Sequence, residues 1–290
     1  MQLTFQDAEL KALIRLLDDP DDSVYSTVSS KLISFGKKVV PLLEVEWEIQ
    51  HQHAIQDRIE RIIEEIEFEY CSSQLRGWCN DDSENLLSGL LISGSFQYPE
   101  LDIDSIYKRI ELLRKDVWLE LNDNLTSLEK VRVINHILFD VHDIKADHTY
   151  QKAPQSFYLN KILADGAASP VAMAVLYKIV ADELELPIVG IDLPHHFILG
   201  YRDINNDTGN DMLFYINPFS KGAVFGRGEL ERYMEKLQLE QRIEDLKTLN
   251  NVQIVKRLLS ELKDCYQRLG KYSKMDKVNT LIQVLNNHNK

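Results

Sequence analysis

The sequence predicts a helix-rich α+β fold, and three observations carry that prediction. Apolar residues recur at helical spacing over 10–66 and again over 254–285. Short β-branched and aromatic runs are confined to a window around 187–217. Asn205-Asn206-Asp207-Thr208-Gly209-Asn210, a dense cluster of turn formers, separates the last two runs and predicts a small antiparallel hairpin.

The elements follow in order. Leu10, Leu13, Ile14 and Leu17 lie at the i, i+3, i+4, i+7 spacing of one buried helix face. Asp18-Asp19-Pro20-Asp21-Asp22-Ser23 breaks that helix and supplies new N-caps. Val24, Val28 and Leu32 resume the stripe, and Gly36 is placed to end it. Ile55, Ile59, Ile62, Ile63 and Ile66 line a third helix whose other face carries Glu60, Glu64 and Glu65. Stripes at Ile106, Ile110, Leu113 and Val117, and at Leu128, Val131, Ile134, Ile137 and Leu138, predict two more helices. The polar stretch 142–148 reads as loop. After Pro187 the period changes: 188–191, 197–201 and 212–216 are the strand candidates. Ile254, Leu258, Leu259, Leu262 and Tyr266, then Val278, Leu281, Ile282 and Leu285, return to helix around Gly270. Gly222, Gly226 and Gly228 fit no phosphate-loop spacing and read as a flexible connection.

At 290 residues the chain can hold about two domains. Its net charge of −13 argues against a nucleic-acid partner, because the phosphate backbone demands a basic face. A solvated surface explains most of that charge. No apolar run is long enough for a bilayer, and Met1–Asp7 carries no basic n-region or apolar h-region. No membrane partner is therefore expected, and the cytoplasm is the expected compartment. Cys71, Cys79 and Cys265 are too scattered for a disulfide framework or a zinc site. His195, His196, His142, Asp143, Asp147 and His148 lack recognised ligand spacing, and neighbouring strand residues point to opposite faces, so neither metal nor cofactor is expected.

One constellation stands out. Ser169 is a good N-cap with Pro170 at the first helical position, and Val171, Val175, Leu176, Ile179 and Val180 bury one face of the helix that follows. If the hairpin turn centres near Asn206-Asp207, facing residues have numbers that sum to about 413, which sets His196 across from Asn217. An amide there can fix an imidazole ring.

These segments carry resemblances. Leu16 through Val24, with Gly36 and Val39-Val40-Pro41-Leu42-Leu43, resembles a HEAT-type hairpin, and the last helix pair resembles a tetratricopeptide hairpin. The order of capped helix, strand, histidine and hairpin resembles papain-type thiol enzymes. Ser156-Phe157-Tyr158-Leu159, the block Ser169–Tyr177, Leu186-Pro187-Ile188-Val189-Gly190, Pro194-His195-His196-Phe197 and Ile216-Asn217-Pro218-Phe219 together resemble the transglutaminase-like superfamily, in its bacterial SirB-type branch. The resemblance covers roughly 75–290 and implies a papain-type core with a small antiparallel sheet. The implied division is a HEAT-like region over 1–72, a core over 73–240 and a helical hairpin over 241–290 packed on that core.

Carried across, the superfamily's cysteine falls on Pro170, counted back from Leu186-Pro187, its histidine on His196 and its aspartate on Asn217. The chain departs from the branch at His195 for glycine, at Ala172 for serine, and in the loosened spacing Gly166-Ala167-Ala168-Ser169-Pro170. The resemblance then implies a pseudoenzyme whose degenerate cleft binds a peptide or protein segment, with Ser169, His195, Phe197, Tyr215 and Phe219 as candidate cleft residues. The alternative is an acyl-transfer or amide-hydrolysing enzyme that uses His196 and Asn217 with a nucleophile brought in by the fold, such as Cys71, Cys79 or a hydroxyl. In a third, purely structural reading, Phe197, Tyr215 and Phe219 fill the groove.

Overall fold

The computed structural model describes residues 5–194, 196–204, 212–236, 243 and 246–287. His195 and the turn cluster 205–210 lie outside the described residues. The chain divides into two compact units, Met1–Gly77 with Ser95–Glu100, and Trp78–Gly94 with Leu101–Lys290. No described helix is long and apolar enough to cross a membrane.

The first unit is helical: α1 (Phe5–Arg15), α2 (Asp22–Ser34), α3 (Val40–Ile49) and α4 (His53–Asp81), of which it takes the residues through Gly77. Leu10, Ile14, Leu17, Val28, Leu32, Leu43, Ile59 and Ile62 form its core. Asp21 caps α2 by accepting from the Ser23 N–H at 2.8 Å. Gly36 (φ +63°) follows α2 in the left-handed conformation that favours glycine. Arg58 of α4 donates to the Leu17 and Asp19 carbonyls, each at 2.8 Å. One guanidinium thus satisfies the carbonyls of the α1–α2 turn, which the end of α1 cannot pair itself.

The second unit opens with α5 (Leu86–Gly94), α6 (Ile103–Glu120) and α7 (Ser127–Asn135), the last started by a reciprocal Thr126–Glu129 capping box and running into a π-helical turn at His136–Val141. Next come β1 (Lys145–Ala146), α8 (Leu159–Asp165), β2 (Ala167–Ala168) and α9 (Pro170–Asp182). β3 (Ile188–Leu193), β4 (His196–Arg202), β5 (Met212–Asn217), β6 (Ala223–Phe225), α10 (Arg227–Lys236), β7 (Thr248–Leu249), α11 (Asn251–Arg268) and α12 (Tyr272–Asn286) complete it. The main sheet has the order β6-β5-β4-β3-β7 with every pair antiparallel. β1 and β2 form a separate parallel pair.

Helix α9 is buried on every side from Val171 to Ala181, as its run of Val, Ala, Ile, Leu and Met requires. Each fully buried Val, Leu or Ile there contributes about 1.5–3 kcal/mol. Its one cation, Lys178, is neutralised by Asp182 at 2.8 Å. One face of the sheet packs on α9, and the other, with Ile191, Ile198 and Tyr215, packs on Leu230 and Met234 of α10.

The structure corrects four expectations. Strands extend beyond 187–217, because β1, β2, β6 and β7 are two or three residues long and too short to show a period. The 142–148 stretch contains β1, and the glycine segment holds β6 and the start of α10 where a flexible connection was expected. The hairpin register is offset as well. Leu199 faces Ile216 and Gly200 faces Tyr215, while a bulge separates Tyr201 from Arg202. Facing numbers therefore sum to 415 beyond the bulge, and His196 faces Leu193 of β3. Continued by one step, the ladder sets Asn217 opposite Ile198, so His196 and Asn217 are diagonal neighbours on one face and not a facing pair.

Candidate functional site

A cavity of about 670 Å³ opens in the second unit. Pro170, His196 and Asn217 all stand on its wall, so the fold brings together the three positions that the resemblance singled out. Pro170 arrives as the first residue of α9, set by the Ser169 cap. His196 arrives as the first residue of β4, its ring edge-on to Tyr233 of α10 at 5.5 Å. Asn217 ends β5, and its side-chain N–H group donates to the Ser220 hydroxyl at 3.1 Å.

The turn after Asn217 is held from outside the sheet. Asn135 of α7 donates to the Gly222 carbonyl at 2.9 Å and accepts from the buried Tyr177 hydroxyl at 3.1 Å. Gly222 has φ +69°, and a Cβ there would run into the Asn135 amide. That clamp fixes the turn carrying Phe219, whose ring meets Tyr150 at 6.2 Å and His148 at 5.2 Å. Phe157 joins the cluster at 6.3 Å from Tyr150.

Of the candidate cleft residues, Phe197 and Phe219 line the cavity and leave it open, unlike a groove filled by its own aromatic side chains. Ser169 and Tyr215 are not on its wall. The Ser169 side chain is fully buried and accepts from the Ala172 N–H, so its capping role holds it inside. Tyr215 stacks on Phe225 at 5.8 Å in the core beneath α10. His195 lies outside the described residues.

The wall also contains side chains that the sequence reading did not single out. Arg257, Ser260, Glu261, Asp264 and Arg268 project from one face of α11 at i, i+3, i+4, i+7 and i+11. Their signal in the sequence is that of any solvated helix face. Arg257 approaches Asp192 at 3.4 Å, an ion pair without hydrogen-bond alignment, and Glu261 at 3.0 Å. Burial pushes the Glu261 and Asp192 carboxyls above the usual carboxylate range, and the Arg257 charge only partly offsets it.

No cysteine lines this cavity among the described residues. Cys71 belongs to the first unit, where its thiol is tied to Ser95 and the Phe96 backbone. Cys265 donates to the Tyr150 carbonyl at 3.4 Å, and burial raises its thiol pKa and that of Cys79. The hydroxyl groups on the wall belong to Tyr150, Tyr233 and Ser260, the last donating to the Lys256 carbonyl at 2.8 Å. The described residues contain no cluster of three or more His, Cys, Asp or Glu side chains able to hold a metal. His142 instead pairs with Asp116 at 2.7 Å.

A UPF0162 protein of Xylella fastidiosa is 26% identical over 155 residues, covering 52% of each chain. Protein SirB1 of Salmonella typhimurium is 20% identical over 61% of this chain and 65% of its own. F-box only protein 21 of Mus musculus is 27% identical over 34% of this chain and 16% of its own. The chain thus spans about half the length of the UPF0162 relative it matches. No solved structure matches. The family model described as transglutaminase-like superfamily matches residues 104–260, the stretch that builds α9, the sheet and the first part of α11. Because that match spans more than half of the sequence, the chain belongs to the transglutaminase-like superfamily.

Proposed function

We propose that this chain is a non-catalytic, SirB-type transglutaminase-like protein whose cleft binds an extended peptide or protein segment. The cavity carries the reading. It keeps His196 and Asn217 on its wall and has Pro170 at the start of α9, the position onto which the resemblance carries the superfamily's nucleophile. Proline offers neither thiol nor hydroxyl, and a histidine without a nucleophile beside it is at most half of a covalent mechanism. At about 670 Å³ the space falls within the ordinary range of ligand pockets, and its mixture of aromatic and charged walls suits a peptide better than a uniformly apolar ligand.

The test pairs the wild-type chain with His196→Ala on a panel of amide and ester substrates, including transfer to an amine. The expected result is no turnover that the substitution removes, together with a change in peptide binding. An amidase, esterase or transamidase rate abolished by His196→Ala would overturn the reading and install the acyl-transfer alternative, with Ser260, Tyr150 and Tyr233 as the first hydroxyls to substitute.

A further inference from the structure

The cavity wall has two chemically distinct sets of side chains. Tyr150, Phe157 and Phe219 form an edge-to-face ring cluster with spacings of 6.2–6.3 Å. The α11 stripe adds Glu261 and Asp264, one turn apart, to the same wall. Cys265 ties the two sets together, because its thiol donates to the Tyr150 carbonyl from the position next to Asp264.

The charges do not balance. The wall contributes the carboxylates of Glu229, Glu261 and Asp264, with Asp192 behind them, against the guanidiniums of Arg257 and Arg268. Arg257 is already shared between Asp192 and Glu261, and Arg268 sits at the exposed end of the helix. Asp264 is exposed, and burial leaves Glu261 under-compensated. A further carboxylate entering this space would meet like charge, and an aliphatic side chain would cover ionised groups without pairing them. An ammonium or guanidinium would find both carboxylates and aromatic rings among the residues that line this space, the two kinds of partner that stabilise a desolvated cation. The net charge of −13 favours the approach of a basic partner over the same surface.

We propose that the bound segment is anchored by a lysine or arginine side chain, held by Glu261 and Asp264 of α11 and by the Tyr150–Phe157–Phe219 cluster. This rests on the peptide-binding reading above and specifies its ligand.

The probes are capped pentapeptides, a central Arg, Lys, Leu or Glu flanked by alanines, titrated into the full chain and followed by amide chemical shifts. Spermidine serves as a cation without a peptide backbone. The Arg and Lys peptides are expected to bind, to shift the resonances of α11 and the 217–225 segment, and to weaken when salt rises to roughly 0.3 M. Asp264→Asn, at an exposed position, should fold normally and weaken them about fivefold or more, with Glu261→Gln at least as damaging. Equal binding of the Leu or Glu peptide, or Arg and Lys binding unchanged in both variants, overturns the cationic anchor while leaving the cleft a peptide site. Binding of spermidine alone overturns the peptide anchor. Failure of every peptide sinks the peptide-binding reading and this inference with it.

Discussion

Gly190 of β3 tests whether the sheet and the cavity are packed as tightly as the structure shows. A Cβ added there would lie 2.7 Å from Phe197 Cζ, 3.1 Å from its Cε2 and 3.3 Å from Ile254 Cδ1. Gly190→Ala therefore sets two effects against each other. Restricting the unfolded chain stabilises by about 0.4–1 kcal/mol. Forcing a methyl into a closed space costs about 1–3 kcal/mol. The clash should win, because neighbours crowd the site from both β4 and α11. A net loss on the order of 1–2 kcal/mol follows, which lowers the melting temperature of a unit this size by roughly 2–8 °C.

Phe197 is 4% exposed, and its ring also lines the cavity, so its route of relief is inward. Gly190→Ala should then weaken peptide binding as well as stability. Phe197→Leu, which removes the ring edge, should relieve much of the clash, giving a coupling of about 0.5–3 kcal/mol in a double-mutant cycle. Calorimetry and urea titration read the stability, and hydrogen exchange over 188–202 locates it. A Gly190→Ala chain as stable as wild type, or effects that simply add in the double variant, would refute the packing described here.

Two further predictions concern the groups around the site. Burial raises the Glu261 carboxyl in the folded state, so the folded chain holds that proton more tightly than the unfolded chain does. The stability it contributes is fully present below the usual carboxylate range and is lost as pH rises through the folded value; Glu261→Gln should flatten that part of the decline above the usual carboxylate range, read from urea midpoints. Asn135→Ala removes a partner of the buried Tyr177 hydroxyl and the donor to the Gly222 carbonyl, and should cost about 1–3 kcal/mol with faster amide exchange across 217–223.

Much of this molecule is legible in its sequence wherever one physical rule acts alone. The Leu10–Ile14–Leu17 stripe, the Ser169 cap and the Ile254–Tyr266 stripe are local patterns, and each forms the expected element. The site is less legible because it is built from offsets and second faces. A single bulge beside Arg202 moves the partner of every residue beyond it, and no turn composition reveals a bulge. The Arg257–Glu261–Asp264 face of α11 looks like a solvated helix face until Asp192 of β3 meets Arg257 and the 150–157 segment packs on the same helix. Asn135 and Gly222 are 87 residues apart, and nothing at either position announces the contact.

Pro170 allows a direct test of how much of the superfamily's frame persists. It is half-buried on the cavity wall at the first position of α9, where unpaired N–H groups and the helix dipole favour an anion. Pro170→Cys should fold, since losing a proline that suits this position costs only about 0.4–1 kcal/mol through the unfolded chain. The background is clean, because Cys71, Cys79 and Cys265 are buried and their thiols are raised by that burial, which slows alkylation near neutral pH. If the helix start still presents the field that a thiol enzyme needs, the introduced thiol should be alkylated by iodoacetamide with a midpoint well below the roughly 8.5 of free cysteine. His196→Ala in the same background should move that midpoint upward if the imidazole reaches the thiolate. A midpoint at or above the free-cysteine value would mean that α9 no longer presents a nucleophile's field. The proline would then mark a helix start rebuilt for packing, and the place of the superfamily's cysteine would have to be sought at another residue.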